Sequence, residues 1–139
     1  MRTILQILER EGGYRSDLHL RIENPPYMAL VIEATPEPGP IGAPAISVAH
    51  YGEQNGDLMR DPEMCFELTN PLGMGWILAA FYFRNDYMGS EQWSRNLVDG
   101  RYVVLPELHK LHELFAEVWD GNIRSQGFAE AFTDKSIQG

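Results

Sequence analysis

Cysteine is almost missing from this chain. Its 139 residues include one, Cys65, so no disulfide can close within the chain and a reducing compartment, the cytoplasm, is the expected setting. Basic residues are scarce as well. Eleven Lys and Arg stand against twenty Asp and Glu, a formal net charge of −9. That balance opposes non-specific attraction to nucleic acid and to anionic membrane, and no basic run offsets it. Long apolar runs are absent too. The longest, Trp76 to Phe83, falls far short of the roughly 20 residues that span a bilayer as a helix. The N-terminal MRTILQILEREGG is amphipathic and charged, without the continuous apolar core of a signal peptide. Internal repeats are not found. These absences lead to an expected protein partner, with no membrane partner and nucleic acid disfavoured. The oligomeric state stays open.

What is present is ordinary globular composition. Hydrophobic residues make up 44% and charged residues 22%, enough for one domain with its own core. The predicted domain covers 1–139, with 1–2 and 134–139 frayed. Thr3 is read as the cap of a short helix that carries Ile4, Leu5, Ile7 and Leu8 and ends at Gly12-Gly13. Leu18, Leu20 and Ile22 then alternate with polar residues, the period of a half-buried strand. Asn24-Pro25-Pro26 turns the chain, and Met28 to Ala34 reads as an inner strand. Thr35 to Pro44 holds four prolines and two glycines and reads as a loop.

Ile46 to Tyr51 and Met64 to Leu68 are expected to be the arms of a hairpin with a long polar tip. Trp76 to Phe83 is apolar on both faces and reads as a covered strand. A turn of helix is expected near Glu91 to Asn96, and a short strand over Tyr102 to Leu105. Pro106 opens the strongest helical pattern, with Leu108, Leu111, Phe115, Val118 and Trp119 at a 3.6 period and Gly121 as a possible break. The predicted fold is α+β: a single domain, an antiparallel sheet of five or six strands, and an N-terminal and a long C-terminal helix packed on it.

The hairpin tip gathers His50, Glu53, Gln54, Asn55, Asp57, Asp61 and Glu63. One reading is structural, because Asn55-Gly56 suits a turn with positive φ and Asp side chains bond loop amides. The alternative is a divalent-metal or acid/base site formed by His50, Asp57 and Asp61, since hard cations take carboxylate oxygens and imidazole suits softer ones. The spacing fits neither a calcium-binding helix–loop–helix nor a phosphate loop. Arg84 and Asp86 leave an apolar strand, where they can line a cleft. Arg84 can clamp an anion or pair internally with a carboxylate such as Asp57 or Asp61. Trp93, with Tyr87 and Met88, is a candidate partner anchor. Asn55, Arg84, Asp86 and Trp93 are therefore the candidate binding residues. His109 and His112 match no zinc signature. Cys65 has no activating neighbour in sequence, so a nucleophilic role is not expected.

The stretch His50-Tyr51, Gln54-Asn55-Gly56-Asp57-Leu58-Met59, Asp61-Pro62 and Phe66, with Phe81 to Tyr87 further on, resembles an uncharacterised bacterial family. That family is a domain of unknown function carried on plasmids and other mobile elements. The resemblance implies an accessory role there and no catalytic residue. No complete catalytic constellation is present, so the expected function is a non-enzymatic accessory or protein-interaction module without a cofactor. The alternative is a small metal-dependent hydrolase using His50, Asp57 and Asp61.

Overall fold

The computed structural model describes residues 1–132; the expected fraying of 134–139 lies outside them. Helix α1 (Arg2–Arg10) buries Thr3, Ile4, Ile7 and Leu8 on one face, the spacing of an amphipathic helix. Gly12 and Gly13 end it at φ of 98° and 92°, a backbone region open to glycine. Thr3 sits inside the helix and does not cap it. Its backbone N–H and its hydroxyl donate to the Asp120 carboxylate at 3.1 and 3.0 Å.

Strands β1 (His19–Asn24), β2 (Tyr27–Ala34), β3 (Ala45–Gln54), β4 (Asp57–Thr69), β5 (Ile77–Asn85) and β6 (Ser90–Trp93) form one antiparallel meander in chain order. Strands β7 (Arg95–Val98) and β8 (Arg101–Val104) make a separate hairpin, and α2 (Pro106–Ser125) follows. The α+β architecture is therefore the expected one, with an added two-stranded arm.

Three local expectations are corrected. The hairpin from Ile46 to Leu68 has no long tip. Gln54 pairs with Asp57, leaving only Asn55 and Gly56, at φ of 53° and 84°, in a two-residue turn of the primed type that matches strand twist. The polar residues expected in a loop extend the two strands. The stretch near Glu91 to Asn96 is not helical. It supplies β6 and β7, because Trp93 and Glu91 pair with Tyr82 and Arg84 on β5. Gly121 does not break α2, which continues to Ser125.

The core lies between one sheet face and the two helices. Leu30, Ile32, Ile46, Val48, Met64 and Phe66 from the central strands pack there against Ile4, Ile7, Trp119 and Ile123. Full burial of such a side chain contributes about 1.5–3 kcal/mol. A smaller cluster, Ala45, Cys65, Phe81 and Tyr82, forms on the opposite face. It exists because β5 bulges. Cys65 pairs with Tyr82 and Phe66 with Ala80, so Phe81 is an extra residue in the ladder. Arg95 enters the gap. Its Nε donates to the Ala80 carbonyl at 2.9 Å and its Nη2 to that of Ala79 at 3.0 Å.

Candidate interaction surface

Helix α2 begins with Pro106 in its first turn and Glu107 beside it, and it ends with Arg124 in its last turn. Each suits its end of the helix dipole and its missing hydrogen bonds. The face turned to the sheet carries His112, Ala116, Trp119, Asp120 and Ile123. Leu111, Leu114 and Val118 point away, at 62%, 52% and 65% exposure, and Phe115, at 40%, sits on the edge between the two sides. Of the five residues expected to form the inner stripe, only Trp119 is buried. The most apolar side of the helix faces outward.

Polar anchors set this roll. Asp120 accepts from the Thr3 and Ile4 amides at the start of α1, at 3.1 and 3.4 Å. Glu113 accepts from the Ala80 amide at the β5 bulge, at 2.8 Å. His112 places Nδ1 2.8 Å from the Ser94 hydroxyl and Nε2 3.0 Å from the Gln92 side-chain oxygen. Rolling the helix to bury Leu111 and Val118 would strip those amides and that hydroxyl of partners, at about 1–3 kcal/mol for each group left buried. The gain from burying the leucine and valine is of similar size per residue, so several anchors together outweigh it.

The exposed residues border a depression of about 440 Å³ lined by Phe83, Gln92, Leu111, His112, Leu114, Phe115 and Val118. Phe115 stands edge-on to Phe83, centroids 5.3 Å apart at 79°. In the floor, burial first and His109 second push the His112 imidazole below its ordinary 6.5. The imidazole is therefore neutral at pH 7, and the depression has apolar walls with an uncharged polar floor. Leu97, Tyr102 and Val104 on the β7–β8 arm and Leu105 just before α2 are exposed as well.

The residues singled out by the sequence lie elsewhere and do not form one site. His50 faces the helices, its ring 5.6 Å from that of Trp119 and 5.4 Å from that of Phe128, with Nδ1 3.2 Å from the Met28 carbonyl. Burial lowers its pKa, against a smaller opposing pull from its backbone hydrogen bonds and Asp61. Asp57 stands exposed beside the Asn55-Gly56 turn. Asp61 accepts from the Asn85 side-chain amide at 2.8 Å. His50 and Asp57 are thus separated, one under the helices and one at a strand tip. Among the described residues no group of three or more His, Cys, Asp and Glu is placed to hold a metal ion.

Arg84 pairs internally, with Asp86 at 2.7 Å and Glu91 at 3.5 Å, and not with Asp57 or Asp61. Asp86 also accepts from the Arg60 amide at 2.8 Å. Burial pushes its carboxyl up, but the Arg60 amide and the Arg84 guanidinium together hold it below the ordinary 3.8. Trp93 packs edge-on to Tyr82, centroids 4.6 Å apart. It lines a second cleft of about 520 Å³ between the Pro36–Pro40 loop and the outer sheet face, with Cys65 in its wall. Burial, and next Glu63, pushes the Cys65 thiol far above its usual range, so it stays protonated and is a poor nucleophile.

Ser94, Gln92, Glu67 and Arg95 were not among the sequence candidates. Glu67 had a signal, a carboxylate between Phe66 and Leu68 in an apolar strand. The others had none, because their partners are remote in sequence.

A family model for DUF6908, a domain of unknown function, matches residues 2–129. The chain belongs to the DUF6908 family. The match runs from the start of α1 past the end of α2, so the sheet, the arm and the exposed helix face all lie within the DUF6908 domain. The family description assigns no activity. No curated protein and no solved structure matches the chain.

Proposed function

We propose that this DUF6908 chain is a non-enzymatic accessory module that docks a protein partner through the outer face of α2. The observation that carries this reading is the row Leu111, Leu114, Phe115 and Val118, exposed side by side on a helix anchored at both ends. Contiguous apolar surface of this kind is uncommon on a monomer and marks interaction sites. An anchored helix presents it with little ordering cost on binding. Apolar residues at i, i+3, i+4 and i+7 form the pattern by which helices enter grooves. The setting, a mobile genetic element in a cytoplasm, rests on the motif resemblance and the single cysteine.

A photo-crosslinking phenylalanine analogue at position 114 tests it in the cell that carries the gene, with the same analogue at position 21 on β1 as control. A discrete adduct at 114, lost when Val118→Glu is added, is expected. Equal crosslinking at 114 and 21 would overturn the reading.

A further inference from the structure

Resting on that docking surface, we infer that its occupant is a second copy of this chain, paired helix to helix and antiparallel across a two-fold axis. The charges bordering the apolar row carry the inference. Lys110 and Glu117 are both exposed and lie about two turns apart on the same border of Leu111, Leu114 and Val118. Two antiparallel copies of α2, crossing between Glu113 and Leu114, set Lys110 of each against Glu117 of the other. The attraction occurs twice because the interface is isologous. Parallel pairing puts this border of each helix on opposite sides of the seam, so Lys110 and Glu117 find no partner in each other and the attraction is lost. In the antiparallel arrangement Leu114 meets its own copy near the axis, and Leu111 enters between Phe115 and Val118 of the other chain. This is the way flanking charges choose orientation in paired helices. One helix thus holds both halves of a self-complementary pattern.

Sedimentation velocity of the purified full chain tests this between about 1 and about 100 µM, where interfaces of modest strength dissociate. A dimer is expected. Lys110→Glu and Glu117→Lys should each weaken it roughly tenfold, because each replaces two exposed attractions with two repulsions. The double swap K110E/E117K should restore it. An unchanged far-UV circular dichroism spectrum of the variants confirms that the monomer fold is intact. A chain that stays monomeric throughout, or a double swap as weak as the singles, overturns self-pairing. A monomeric chain that still forms the Leu114 adduct with a different protein overturns self-pairing and leaves the docking surface standing.

Discussion

Glu67 and Arg95 meet as a buried ion pair, Oε1 to Nη1 at 2.8 Å, with side-chain exposures of 0% and 7%. The second carboxylate oxygen accepts from the amides of Ile41 and Ala43, at 3.0 and 3.2 Å. One pair therefore joins the Pro-rich loop, β4, the β5 bulge and the start of the arm. Removing one partner leaves a buried charge uncompensated. Glu67→Ala is expected to cost about 3–5 kcal/mol in urea unfolding. Replacing both residues with methionine should cost less than the sum of the two single changes.

Gly39 of that loop packs against the Glu67 side chain. A Cβ there would sit 2.0 Å from Glu67 Cγ, so the side chain or the loop must move. Gly39→Ala should destabilise by about 1–3 kcal/mol, as overpacking does. Most of that penalty should vanish in the Glu67→Ala background, a coupling that a double-mutant cycle reads directly.

Asp120 does for α1 what a cap residue does, from a different helix. Asp120→Ala leaves the Thr3 and Ile4 amides unpartnered and should cost about 1–3 kcal/mol. Hydrogen exchange should rise first at the amides of α1. Unchanged protection there would contradict the capping role.

His50 and His112 both titrate below their ordinary 6.5 in the folded chain, burial being the first cause for each. The unfolded chain binds protons at higher pH than the folded one at these sites. Their contribution to stability is present above pH 6.5 and is lost as pH falls through the lowered folded values. Unfolding free energy measured between about pH 7 and 5 should therefore decline. A His50→Gln/His112→Gln chain should show a shallower decline, even if less stable at pH 7.

The two sides of α2 should respond in opposite ways. Leu111→Lys and Val118→Glu should leave the stability of the monomer within about 0.5 kcal/mol, whereas Trp119→Ala should cost about 3–5 kcal/mol. Urea midpoints decide it. A large loss at Leu111 or Val118 in a monomeric chain would mean that the outward face is buried in the monomer after all.

Much of the architecture is legible along the chain because it depends on near neighbours. Alternation over Leu18 to Ile22, the glycines after α1, Asn55-Gly56 and Pro106 each encode a local backbone state. Together they specify a meander of strands between two helices. Three matters were settled only by residues far apart in sequence. The roll of α2 depends on Asp120 meeting Thr3, on Glu113 meeting Ala80 and on His112 meeting Ser94. Hydrophobic period alone points that helix the wrong way, since it cannot weigh apolar burial against distant amides that need acceptors. Glu67 advertises a buried charge, but not that Arg95 answers it. The polar residues from His50 to Glu63 look like one cluster in sequence. The extended strands advance about 3.3 Å per residue, which carries Asp57 out to the Asn55-Gly56 turn while His50 stays under the helices, and leaves the candidate surface on α2 instead.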